Sequence, residues 1–143
     1  MTPDEQRLRE AAHFGWTQEL VRLLERGTDP NTQDIYGNTP LHHAAGGGHR
    51  ECLRLLLDQG VDPSPCNRAN ETPLHLAARC GHAGCVGLLL EQGADPESRD
   101  FKGRTARDLA LHGGYADCVD LLDAHTGKER LDALWSRQTG TPS

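Results

Sequence analysis

Apolar residues recur along the chain in short helical stripes, separated by glycine and proline. Within "TPLHHAAGGGH" (Thr39 to His49), Leu41, Ala44 and Ala45 fall on one helical face. The next stretch, "CLRLLLDQG", carries Leu53, Leu56 and Leu57 on a second stripe, so the pattern predicts a pair of short helices. Thr39 and Thr72 each precede a proline. A threonine hydroxyl at that place accepts a bond from first-turn N–H groups, and proline at the first helical position loses no hydrogen bond. Gly48, Gly81 and Gly114 follow about two turns later, where a left-handed C-cap is expected. Gly60 and Gly93 end the second helix, and "VDP" or "ADP" leads into a polar turn.

The same pattern returns every 33 residues. "GNTPLHHAAGGGH" (Gly37 to His49) is followed in register by "NETPLHLAARCGH" (Asn70 to His82) and "GRTARDLALHGGY" (Gly103 to Tyr115). A weaker copy, "LREAAHFGWTQELVRLLERGTDP", occupies Leu8 to Pro30. A period of this length marks a repeat architecture, and it decides how the histidines and glycines are read. They punctuate a scaffold that recurs, whereas a chemical site occurs once.

The T-P-L-H-x-A-A-x-x-G-H signature, with L-L-L-x-x-G-A-D-P after it, resembles the ankyrin repeat. The resemblance implies an all-α solenoid of helix–turn–helix units with β-hairpin-like fingers at the junctions. Repeats are expected at about 1–33, 34–66, 67–99 and 100–127, with 128–143 as a C-terminal capping helix and tail. It also implies binding without catalysis, each unit resting on its neighbours. The motif residues His42 and His75 are then structural, tying neighbouring loops by hydrogen bonds.

The outer units depart from the pattern. The first lacks Thr-Pro but has Thr2-Pro3-Asp4-Glu5, a capping box one turn earlier, and Arg22 replaces Leu55 and Leu88. In the last, Arg107 replaces Leu41 and Leu74, Asp108 replaces His42 and His75, and Asp123 replaces Leu57 and Leu90. Polar residues at otherwise buried positions read as terminal caps, so a complete four-repeat protein is expected. Lys128 to Arg137 place Leu131, Leu134 and Trp135 at helical spacing. Too short for an isolated helix, this segment either packs on the fourth repeat or serves as a partner-binding or disordered tail.

Composition narrows the chemistry. Aromatic residues make up 4%, so leucine and alanine carry the burial, and the net charge of −6 argues against a general nucleic-acid binder. No apolar run reaches bilayer length, and the N-terminus has no apolar signal region, so no membrane association is expected. Five cysteines without framework spacing fit a reducing compartment, hence a cytoplasmic or nuclear location.

Cys52, Cys85 and Cys118 share one repeat position and are expected to stay as thiols, since helix spacing of roughly 8–10 Å exceeds disulfide reach. Cys80, His82 and Cys85 lack a fourth zinc ligand, Gly46-Gly47-Gly48 lies at an anion-repelling helix C-terminus, and no hydrolase triad is present. No cofactor, metal or enzyme activity is implied. A thiol- or metal-responsive sensor built on Cys66, Cys80 and Cys85 is the alternative from another class.

The resemblance places partner contacts at finger tips and concave helix ends. By register these include Ile35, Tyr36, Asn38, Arg68, Glu71, Arg79, Arg99, Phe101, Lys102, Arg104 and His112. With the turn residues Asp34 and Asp100 set aside, five cations face one acid, Glu71, in a chain that is acidic overall. The expected function is a non-enzymatic protein–protein interaction module, monomeric on its own. Its basic and aromatic face takes a protein partner with an acidic segment, or else the arginines are solvated decoration. The short form is similar to stoichiometric kinase inhibitors and small adaptors, so an enzyme regulator is a second reading.

Overall fold

A computed structural model describes residues 3–126. The Thr2 capping residue and the segment Lys128 to Arg137 lie outside the described residues. Four helix pairs follow in order: α1 (Pro3–Phe14) with α2 (Thr17–Glu25), α3 (Pro40–Gly47) with α4 (Arg50–Leu57), α5 (Pro73–Cys80) with α6 (Ala83–Glu91), and α7 (Ala106–Gly113) with α8 (116–126). Among the described residues there is no strand. The first helices of the pairs stack side by side as one row, α1 on α3 on α5 on α7, and α2, α4 and α6 form a second row behind them.

Most of these helices have eight or nine residues, too few to persist alone in water. Stacking supplies what length does not. Ala11, Ala12, Ala44, Ala45, Ala77, Ala78 and Ala110 are completely buried in the first row, where small side chains let helix axes approach closely. Leu20, Leu53, Leu56 and Leu89 fill the layer between the rows without exposure.

The motif histidine joins one pair to the next. In α3, Thr39 Oγ1 accepts the His42 backbone N–H, and His42 Nδ1 accepts the Thr39 backbone N–H at 3.1 Å. That bond leaves the ring proton on Nε2, which donates 2.8 Å to the Glu71 carbonyl of the following finger. His75 repeats the geometry, capping through Thr72 and donating 2.9 Å to the Arg104 carbonyl. In α7 the capping half is kept by Asp108, whose Oδ2 accepts the Thr105 N–H at 2.9 Å. A carboxylate has no proton to pass onward. Arg9 holds the same register in the first pair; it is buried and donates 2.6 Å to Thr32 Oγ1.

At the opposite turn, Gly48 and Gly81 end α3 and α5 at φ of 75° and 76°. A Cβ there would also lie 2.6 Å from the His82 ring and 2.5 Å from the Tyr115 ring. The following pair seats its ring directly on the glycine, so a broad set of rings suits this position while the glycine beneath does not vary. Trp16, at the equivalent place in the first pair, stacks on Phe14 at 5.2 Å. At the far end, Arg107 and Asp123 meet at 2.6 Å with both side chains half-exposed, and Arg22 pairs with Glu19 at 2.8 Å.

Leu56→Ala should cost roughly 2–5 kcal/mol in urea melts, as for other emptied leucine sites. Asp123→Ala, breaking an exposed pair, should cost under about 1 kcal/mol. Equal losses would contradict the assigned layers.

Burial pushes the His42 pKa below the ordinary histidine value, against the opposing pull of the Glu71 carbonyl. Unfolding restores the ordinary value of about 6.5, so the unfolded chain binds more protons as the pH falls. This stabilisation is complete above about pH 6.5 and is lost as the pH drops from there through the folded-state value. His42→Ala should cost roughly 1–3 kcal/mol or more at neutral pH by orphaning its buried partners. Its stability should also decline less steeply with acid than that of the unchanged protein.

Candidate interaction surface

Each finger is built around one side chain that accepts two backbone N–H groups. Asp34 Oδ1 takes those of Tyr36 and Asn38, each at 2.9 Å. Asn67 Oδ1 takes those of Ala69 at 3.0 Å and Glu71 at 2.9 Å, and Asp100 Oδ1 those of Lys102 and Arg104 at 2.9 Å. Reciprocal backbone bonds close each turn, as where the Asp34 N–H donates to the Asn38 carbonyl and the Gly37 N–H to the Asp34 carbonyl, both at 3.0 Å. The hairpin-like finger is therefore a tight turn, too short to form a strand. Its tip needs a positive φ, 78° at Gly37, 59° at Asn70 and 76° at Gly103. Asparagine tolerates that region better than most residues.

Neighbouring fingers are also tied to one another. The Arg68 N–H donates to the Tyr36 carbonyl and the Phe101 N–H to the Ala69 carbonyl, both at 3.0 Å. Asn67 Nδ2 reaches Asn38 Oδ1, and Asn70 Nδ2 reaches the Arg99 carbonyl, both at 2.9 Å. The tips thus form a continuous ridge of fixed spacing.

The eleven positions named from sequence divide into two groups on this ridge. Ile35, Tyr36 and Phe101 are 68%, 65% and 65% exposed. Arg68, Arg99 and Lys102 are exposed too, and none makes an ion pair among the described residues. Arg99 Nη1 donates 2.8 Å to the Gly103 carbonyl, and Lys102 Nζ lies 5.5 Å from the Phe101 ring centre. His112 is exposed in the last turn of α7.

The remaining positions belong to the scaffold. Glu71 is buried, contrary to its expected place on the open tip; Asn67 donates to one carboxylate oxygen and Arg79 to the other. Asn38 is half-buried against Asn67. Arg104 pairs at 2.9 Å with Asp100, whose carboxylate is wholly covered. Burial alone pushes the Asp100 pKa up, but the N–H groups of Arg104 and Lys102 and the Arg104 guanidinium outweigh it and hold the carboxyl below its usual range. Two of the five expected cations are therefore neutralised in place. The turn residue Asp100 thus offsets Arg104, one of the five cations on this face.

A histidine cluster at the first repeat escaped sequence reasoning. His43 Nε2 lies 3.0 Å from Asp34 Oδ2 and His43 Nδ1 lies 3.4 Å from His13 Nδ1. Burial pushes the His43 pKa below its ordinary value despite the pull of Asp34. A groove of about 400 Å³ opens beside it, with Phe14, Ile35, Glu10 and Asp34 among its walls. The available signal was His43 itself, which has no counterpart in the other units.

A family model described as ankyrin repeats, in three copies, matches residues 8–100. The chain belongs to the ankyrin-repeat family. The match runs from within α1 to beyond α6, and the structure adds a fourth pair with the same threonine cap and left-handed glycine at Thr105 and Gly114. Ankyrin repeats are generally protein–protein interaction modules and typically non-enzymatic. Comparison with curated proteins finds no match. Among the described residues, no helix is long and apolar enough to cross a membrane, and no group of three His, Cys, Asp or Glu side chains is placed to hold a metal ion.

The sensor alternative loses Cys85 on structural grounds. Cys52, Cys85 and Cys118 are buried, and desolvation pushes their thiols up, to about 11 for Cys85. Thiols held protonated in this way are poor nucleophiles. Cys66 and Cys80 are exposed. The folded ankyrin-repeat protein should therefore show two fast-reacting thiols with a disulfide reagent and all five only in denaturant; a third fast thiol would mean the ladder is open to solvent.

Proposed function

We propose that this ankyrin-repeat protein is a non-enzymatic interaction module that receives an acidic segment of a protein partner along its finger ridge. One observation carries the reading. In a chain of net charge −6, Arg68, Arg99 and Lys102 stand on the ridge without ion pairs among the described residues, interleaved with exposed Ile35, Tyr36 and Phe101. Aromatic residues beside arginine are the composition enriched at binding hot spots. Acids elsewhere on the surface repel the same partner, so the charge pattern selects this face. The module acts as a monomer in the cytoplasm or nucleus, and it serves either as an adaptor or as a stoichiometric regulator of an enzyme.

The test begins with capture of a partner from the native lysate and continues with binding kinetics. Arg68→Glu combined with Arg99→Glu should slow association and flatten its salt dependence, because steering between opposite charges is screened by salt. Phe101→Ala should act mainly by speeding dissociation, the usual signature of a truncated anchor. Unchanged affinity in the charge-reversed protein would refute the basic ridge as the binding surface. An equimolar dose that alters the partner's activity would assign the regulator role, and bridging of two partners the adaptor role.

A further inference from the structure

The ridge is not uniform. Position by position, the tips read Ile35 and Tyr36, then Arg68 and Ala69, then Phe101 and Lys102. The middle finger carries a methyl group, Ala69, where its neighbours carry a phenol and a lysine. A notch of about 520 Å³ lies there, with the Tyr36 and Phe101 rings at its sides and Ala69 between them. A simple slide of the fingers would break the Arg68 and Phe101 N–H bonds to the Tyr36 and Ala69 carbonyls, each 3.0 Å long. Both rings remain about two-thirds exposed, and Lys102 Nζ stands 5.5 Å from the Phe101 ring centre.

From this geometry we infer that the notch receives a single large apolar side chain of the partner, flanked by carboxylates that lie against Arg68 and Lys102. The inference rests on the interaction reading above and adds the form of the recognised segment: extended, acidic, with one aromatic or leucine anchor. A buried aromatic side chain removes a large apolar area from water, and stacking against a ring face adds to it. Glu71 in the wall does not oppose the acidic flanks, since Asn67 and Arg79 already engage both its oxygens. The groove at the first repeat suits such a segment poorly, because Glu10 and Asp34 line it.

The experiment uses the full chain and short synthetic peptides, read by fluorescence polarisation. One set has Leu, Phe or Trp among aspartates and glutamates; a matched set replaces the apolar residue by serine, and another replaces the acids by lysine. Acidic peptides with the apolar anchor should bind best. Ala69→Leu, which fills the notch, should weaken them at least about tenfold, the scale of a lost hot spot, with helical circular dichroism and salt dependence retained. Tyr36→Ala should weaken them as well by removing one wall.

Equal binding of anchored and serine peptides, or unchanged affinity in Ala69→Leu, would overturn the notch while leaving the basic ridge standing. Lysine peptides binding as well as acidic ones would overturn the ridge reading itself. Failure of every acidic peptide would also overturn the notch. A concentration-dependent dimer in sedimentation, abolished by Ala69→Leu, would assign the notch to a second copy of the chain instead.

Discussion

Everything the fold does depends on a histidine ring that serves two units at once. Its Nδ1 closes the N-terminus of its own helix, and that bond determines the tautomer that leaves Nε2–H available for the next finger. A lysine or serine could satisfy one of these demands, but not both with the same planar geometry. Because the ring is desolvated, each bond is stronger than it would be in water, and each is costly to leave unmade. The helices supply too few residues to stand alone, so these ties, together with the alanine contacts, convert marginal pieces into one stack. The fingers inherit their rigidity from the same source, since the carbonyls that receive the rings, at Glu71 and Arg104, are finger residues.

Much of this is legible in the sequence. Threonine, proline and glycine at a fixed period mark where helices begin and end through local chemistry that needs no tertiary information. The buried faces followed from leucine and alanine spacing for the same reason. What could not be read was pairing between side chains whose separation is set by the turn. Arg104 meets Asp100 across a finger, and Arg79 meets Glu71 from a helix end eight residues later. By register Asp100 reads as a turn residue only, so the charge opposite Arg104 is not visible there. Glu71 is visible as an acid but not as the partner of Arg79. The His13–His43 contact was hidden similarly, because it depends on how closely α1 and α3 approach, which alanines permit but do not announce. The segment beginning at Lys128 had a stripe legible in sequence and no repeat context to say what it meets.

Rigid fingers have a bearing on binding. A partner that docks on loops already held by carboxylates and amides pays little ordering entropy at the tips. Affinity then depends on side-chain chemistry, which varies freely across tips while the turn residue beneath is always Asp or Asn. The two roles fall to different positions of the same short finger: Asp34, Asn67 and Asp100 hold its shape, and the residues directly after them meet the solvent.

The histidine ties all point the same way along the chain, each ring reaching forward to a later carbonyl. This gives the stack a polarity that its near-identical units conceal. Stripping the first pair away would leave the donors of α3 and α5 still satisfied. Removing the last pair together with the finger that precedes it would take the Arg104 carbonyl from His75 and strand a buried N–H, which is rarer and harder to accommodate than an under-used carbonyl. Asp108 in the final register is suited to a boundary, because it caps its helix and offers no donor to lose. Fraying from the two ends is therefore unequal, and an array of this kind has, in effect, an arrow built into its hydrogen bonds.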